Sequence, residues 1–272
     1  MPENRSNKNL IRKIKKQITA QIIKSTFNLP GTLKQKLNSC KKESEGLEKK
    51  FFKRMIENLD ISQKNKIPAC QDTGIFEVWV NLGKNLKKNG LNLDKIITRA
   101  VKNAHREGKL RRSMPDGVKP VLHFEFWDKN FTEIILTPRG FGSENYSFLH
   151  MLNPETGFRK IIKMITGDVK KAGSRPCPPF LIGVGLGGTA SKAVELSSLA
   201  LTRMDFKPTD REKGILQAVN KLKIGAGGTG GQFTAIGAKV LNFPAHIAGL
   251  AMGVHIGCWC NRVRKIKIYE KA

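Results

Sequence analysis

Phe180-Leu-Ile-Gly-Val-Gly-Leu-Gly-Gly-Thr189 decides the fold class. Phe180 to Val184 reads as a short buried strand, and the glycines after it lead into a helix from Thr189 to Thr202. Strands and helices alternate on both sides of this stretch. Toward the N-terminus, Phe158 to Ala172 has helical spacing and Gly140 to Ser147 is a loop. Val121 to Trp127 and Phe131 to Leu136 form a strand pair joined by Asp128-Lys-Asn130, most simply a hairpin. Leu93 to Lys109 is a helix with Asn92 as its cap, and Ile75 to Leu82 is a strand bounded by Gly74 and Gly83. Toward the C-terminus, Arg211 to Lys223 is a helix. A glycine-dense stretch, Gly225 to Gly231, leads into Phe233 to Leu241, and Gly249 to Ile256 is a buried strand ending before Cys258.

Residues 1–66 differ in character. Ile11, Ile14, Ile18, Ile22 and, further on, Phe51, Phe52, Met55 and Ile56 recur at helical spacing, with a break at Leu29-Pro30-Gly31. Lys64 to Pro68 closes this region. The expected architecture is mixed α/β: a helical N-terminal layer (1–66) packed on a mixed β-sheet core within 67–272, which forms one integrated catalytic region.

Composition narrows the function classes. The 272 residues contain no apolar run long enough for a membrane helix, and Met1 to Lys8 lacks the apolar stretch of a secretory leader. Five cysteines are an odd number without disulfide-framework spacing, so a reducing, cytoplasmic setting is expected. The net charge of +27 suggests nucleic acid. However, the basic residues are spread along the chain, with no Arg-rich block, zinc-finger spacing or aromatic-interleaved RNA motif. A basic nucleic-acid-associated protein stays as the non-enzymatic alternative. The same positive surface suits dicarboxylate substrates or an acidic partner.

Gly183-x-Gly185-x-x-Gly188 satisfies a dinucleotide-binding pattern, but a lone match is weak. The acidic residue such a fold needs further on falls on Asp205, within Met204-Asp-Phe-Lys-Pro208, which does not look like the end of a second buried strand. Close packing of the following helix explains the glycines without a nucleotide.

Three other segments place a cysteine among turn-forming or polar residues: Ile67-Pro-Ala-Cys70-Gln-Asp-Thr-Gly74, Gly173-Ser-Arg-Pro-Cys177-Pro-Pro179 and His255-Ile-Gly-Cys258-Trp-Cys260-Asn-Arg262. Flanking prolines and glycine make positions that can present a thiolate into a cavity. From spacing alone, the commoner role of such cysteines is as small buried hydrophobes. Structural zinc prefers C-x-x-C pairs, and none occurs. In an extended segment Cys258 and Cys260 point to opposite faces, so only one of them joins a site with Cys70 and Cys177. Three convergent cysteines would leave one iron of a four-iron cluster open as a Lewis acid.

Cys70-Gln-Asp-Thr-Gly74, Pro138-Arg-Gly-Phe-Gly-Ser-Glu-Asn145, Cys177-Pro-Pro179 with Gly183 to Gly188, and Pro244-Ala-His-Ile-Ala-Gly249 ahead of Cys258 occur in that order. They resemble the successive signature blocks of class I fumarate hydratases and L-tartrate dehydratase alpha subunits, over about residues 15–264. The resemblance implies a [4Fe-4S] cluster held by Cys70, Cys177 and Cys258. It implies substrate contacts from Gln71, Arg111, Gly140, Phe141 and His246, with Asp72 catalytic at the departing hydroxyl. A bidentate guanidinium at Arg111 suits a substrate carboxylate.

The implied activity is that of the alpha subunit of a hydro-lyase dehydrating a small 2-hydroxy dicarboxylate, malate to fumarate, with L-tartrate as the alternative. In single-chain relatives of this family a second domain follows. Because this chain stops at Ala272, a beta subunit is the expected partner, and neither membrane nor nucleic acid is. Met114-Pro-Asp-Gly-Val-Lys-Pro120 replaces the Asn/Asp/Thr-rich stretch of most relatives, so the pocket is expected to differ on that side.

Overall fold

The computed structural model describes residues 5–84, 86 and 91–269; the outermost residues of the expected helical layer and of the expected catalytic region lie outside them. In chain order the elements are α1 (Arg5–Phe27), α2 (Gly31–Glu43), α3 (Gly46–Asn65), β1 (Ile75–Leu82), α4 (Leu93–Glu107), β2 (Val121–Phe126) and β3 (Phe131–Arg139). Then come α5 (Phe141–Glu144), β4 (Ser147–Leu152), α6 (Phe158–Ala172), β5 (Phe180–Leu186), α7 (Ala190–Thr202), α8 (Asp210–Asn220), β6 (Ala235–Asn242), β7 (Leu250–Gly257) and β8 (Arg264–Tyr269). Among the described residues no helix is long and apolar enough to cross a membrane.

The chain divides into two compact units. One comprises Met1–Pro30, Ile61–Gly140 and Arg262–Ala272, the other Gly31–Asp60 and Phe141–Asn261. The expectation of mixed α/β holds, and the β-sheet core consists of two four-stranded mixed sheets, ordered β2-β1-β3-β8 and β4-β7-β5-β6. The physical reason is that each sheet closes its own apolar cluster.

In the first unit Ile14, Ile18 and Ile22 of α1 and Ile97, Ala100 and Val101 of α4 bury against Phe76, Val78, Val80, Ile134 and Leu136. The Asn92 side chain caps α4 by accepting from Lys95 N at 2.9 Å, as expected. At the C-terminal end of α1, Arg264 Nη2 donates to the Lys24 carbonyl at 3.5 Å and to that of Asn28. A cation there complements the helix dipole. The expected β2–β3 hairpin does not form, because β1 lies between them, parallel to β2 and antiparallel to β3. β1 and β3 are buried nearly throughout, whereas β2 is largely exposed. The two most apolar strands therefore take the centre, and β2 becomes the edge reached through α4.

In the second unit the period-2 alternation of β5 and β7 sorts side chains by size. Phe180, Ile182, Val184, Met252, Val254 and Ile256 form the core with Ile161 and Ile165 of α6 and Ile215 and Val219 of α8. Each such side chain contributes roughly 1.5–3 kcal/mol when fully buried. The opposite face carries Gly183, Gly185 and Gly253 against α7. A Cβ at these glycines would lie 2.2 Å from Ser197 O, 2.1 Å from Ala193 O and 2.4 Å from Ala193 O. The close approach of α7 thus accounts for Gly183 and Gly185.

Candidate active site

The first unit gathers one group of expected residues. The Cys70–Gly74 loop enters β1, and Gly74, at φ +81°, turns the chain. Its N–H donates to Asp72 Oδ1 at 2.9 Å and to Ser113 Oγ at 3.0 Å, while Ser113 Oγ donates to Asp72 Oδ1 at 3.3 Å. This is an Asx turn reinforced by a distant serine. Pairing of Ile75 with Arg139 brings the end of β3 alongside. A Cβ at Gly140 would stand 2.9 Å from Asp72 Oδ2, so only glycine lets that backbone approach the carboxylate so closely.

Arg262 Nη2 donates to Asp72 O at 2.8 Å. Ser113 anchors the 111–113 segment here, and Gln71 and Arg111 are exposed. Arg139 is fixed in turn: its Nε donates to Glu77 Oε2 at 2.8 Å, and His123 Nε2 lies 3.0 Å from Glu77 Oε1. Asp72 and Gly140 thus meet here, with Cys70 and Gln71 on the same loop and Arg111 two residues before the Ser113 anchor.

The second unit holds Phe141, Cys177, His246 and Cys258. Leu181 pairs with Gly257, so Cys177 and Cys258 flank the same end of the β4-β7-β5-β6 sheet. Cys177 is exposed, at φ +60°, a conformation that costs a non-glycine residue of order 1–3 kcal/mol and is characteristic of functional sites. The loop around it is held from behind. Gly227 N donates to Pro178 O at 2.8 Å, and the glycine-rich turn containing Gly227 is pinned by the buried Glu48 carboxylate. That carboxylate accepts from the amides of Ala226 at 3.2 Å, Gln232 at 3.0 Å and Phe233 at 2.9 Å. Three charge-assisted bonds compensate its burial.

His246 lies elsewhere. It is exposed in the connection from β6 to β7, where its Nδ1 accepts from Ala248 N at 3.1 Å. Gly188 N bonds Pro244 O at 3.0 Å, placing this connection beyond Leu186, at the other end of the sheet. The eight residues of β7 put His246 on the order of 20 Å from Cys258. Within its own unit His246 does not join Cys177 and Cys258.

The cysteines sort by environment. Cys40 is fully buried, and burial pushes its thiol up to about 12, the environment of a small packing residue rather than of a presented thiolate. Cys260 is buried, whereas Cys70 and Cys258 are half-buried and Cys177 is exposed. Among the described residues no group of three His, Cys, Asp or Glu is placed to hold a single metal ion. A four-iron cluster takes its thiolates on separate irons, and three loop-borne, accessible thiols suit that donor chemistry.

Sequence reasoning missed Ser113, Glu48 and Arg262, and also an arrangement around α5. There His255 lies 2.7 Å from Ser197 Oγ through Nδ1 and 3.5 Å from Glu144 Oε2 through Nε2, tying the helix that begins at Phe141 to β7. Glu144 lay within the Ser-Glu-Asn of residues 143–145, and His255 and Arg262 lay at the two ends of the Cys258 segment, but none was given a role there. The Met114–Lys119 segment lines an open cleft against α4 with Lys95, Arg99 and Lys102.

Comparison with known proteins bears on this group of residues. The family described as "Fumarate hydratase (Fumerase)" matches residues 15–267. A protein of Methanocaldococcus jannaschii named "Putative L(+)-tartrate dehydratase subunit alpha" is 35% identical, over 89% of this chain and 94% of its own length. "Putative fumarate hydratase class I" of Geobacillus stearothermophilus is 29% identical over 89% of this chain, which spans 52% of that relative. "L(+)-tartrate dehydratase subunit alpha" of Escherichia coli strain K12 is 25% identical, over 93% of this chain and 89% of its own.

Proposed function

This chain belongs to the fumarate hydratase (Fumerase) family of hydro-lyases, and from that premise we propose that it is the iron-sulfur alpha subunit of an enzyme dehydrating malate to fumarate. The observation that carries the reading is the Asp72 group, in which a Ser113- and Gly74-held carboxylate meets the Gly140 backbone. Cys70, Cys177 and Cys258 are the proposed ligands of a [4Fe-4S] cluster. When bound, such a cluster with one iron lacking a protein ligand supplies a Lewis acid.

The chain's own residues divide the remaining work. Arg111, exposed next to the Ser113 anchor, binds a substrate carboxylate as a fork. Gln71 and the amides of Gly140 and Phe141 orient the diacid. Asp72 delivers a proton to the C2 hydroxyl, or stabilises it, as it departs as water, while a base takes the C3 proton and the double bond forms. That base is assigned to a beta subunit, in keeping with the relatives named subunit alpha.

Those same names favour a second reading, L-tartrate as substrate. The test is to load the chain with iron and sulfide anaerobically, together with its partner, and assay both diacids. Faster loss of malate supports the first reading and faster loss of tartrate the second. Turnover of neither overturns both.

As a substrate contact His246 requires a second copy of the chain, since its own Cys258 lies at the far end of β7. Co-expressing His246→Asn with Cys258→Ser chains tests this. In a two-fold dimer half the molecules are mixed and hold one intact site of two, so recovery of roughly a quarter of wild-type activity is expected. No recovery removes His246 from the substrate set.

A further inference from the structure

Arg262 is 3% exposed. Its Nη2 donates to Asp72 O at 2.8 Å, while its Nε and Nη1 are buried without a hydrogen-bond partner among the described residues. A guanidinium is charged at every physiological pH and carries five donors, and a main-chain carbonyl does not neutralise it. Arg139, also buried, is provided for by Glu77 at 2.8 Å, and the half-buried Arg264 turns Nη2 to the carbonyls at the end of α1 and leaves a single nitrogen, Nε, without a partner among the described residues. A buried charge with two idle donors is costly unless an anion completes it. The bond to Asp72 O fixes the guanidinium two residues from Cys70, and in sequence it follows Cys258 by four.

We propose that Arg262 is a cofactor-binding residue, whose Nε and Nη1 hydrogens are taken by the net negative charge of the thiolate-ligated iron-sulfur cluster at the Cys70 loop. The inference rests on the cluster reading above and adds to it the residue that neutralises the cluster. Hydrogen bonds donated toward cluster sulfur raise its reduction potential and slow metal loss. The other anion available at this loop is a substrate carboxylate, and the two sources are separable.

The experiment uses the full chain with its partner, oxygen-free, in apo and cluster-loaded forms, comparing wild type, Arg262→Gln and Arg262→Lys. The readouts are the melting temperature of each form, iron release to a chelator and the cluster's midpoint potential, none of which needs turnover. Loading is expected to raise the wild-type melting temperature, because a tightly bound group stabilises the state that binds it. That rise should shrink in Arg262→Gln and return in part in Arg262→Lys. Iron release from Arg262→Gln should be roughly tenfold faster or more, and its potential more negative.

If the rise, the release rate and the potential match wild type while only the apo form melts lower, Arg262 serves the Asp72 carbonyl alone and the proposal is overturned. If those three are unchanged but the further rise on adding malate is lost, the anion is the substrate carboxylate, which also overturns it. A wild-type protein that takes up no iron and sulfide defeats the cluster reading itself, a distinct result.

Discussion

Cys177→Ser protein loaded anaerobically is expected to retain almost none of the iron bound by wild type, and the same loss is expected for Cys70→Ser and Cys258→Ser. A serine hydroxyl is a hard, protonated oxygen that does not replace a thiolate on iron. Cys177 is the most telling of the three, because it is exposed and replacing it opens no cavity in a core. Loss of iron there reports ligation rather than unfolding. Cys40→Ser and Cys260→Ser are expected to keep full occupancy, because both side chains are buried rather than presented from a loop. Full iron content in Cys177→Ser refutes the ligand set. Iron loss in Cys260→Ser but not in Cys258→Ser moves the third ligand by one strand face.

The second large effect is the need for a partner. The cluster-loaded chain by itself is expected to leave malate unreacted, with dehydration appearing only when a beta subunit is co-expressed. The groups gathered about Asp72 are donors: the Gly74 amide, the Ser113 hydroxyl and the Arg262 guanidinium. They hold the Asp72 carboxylate and its main-chain carbonyl, and with Asp72 assigned to the departing hydroxyl none of them is a base for the C3 proton. Relatives named subunit alpha point the same way. With a net charge of +27 on this chain, association with an acidic partner should weaken as salt rises. Efficient malate dehydration by the isolated chain contradicts this prediction.

Elements with strong local signals were legible in the sequence. α1 follows from the four-residue spacing of Ile14, Ile18 and Ile22 and ends before Pro30, and Asn92 and Thr189 cap α4 and α7. Strand order was not legible, because apolar content marks a strand without naming its neighbour; hence β1 intervenes where a hairpin was expected. β4 and β8 were missed although Phe148 and Leu152, and Ile266 and Ile268, alternate inward. Both are short, and the Lys and Arg of β8 mask its pattern.

Within the site, Asp72 and Gly140 were named from motif blocks, and the structure supplies the reason they meet, pairing of β1 with β3. Ser113, Glu48 and Arg262 act across 41, 178 and 190 positions of sequence, which no local pattern encodes.

The most direct test follows fumarate absorbance on adding malate to the cluster-loaded complex while bound iron is varied by brief oxygen exposure and by restoration with ferrous iron and thiol. The account predicts a dehydration rate that falls with cluster iron and returns with it. A rate indifferent to the loss of iron, or malate and tartrate both untouched by a fully loaded complex, would contradict it.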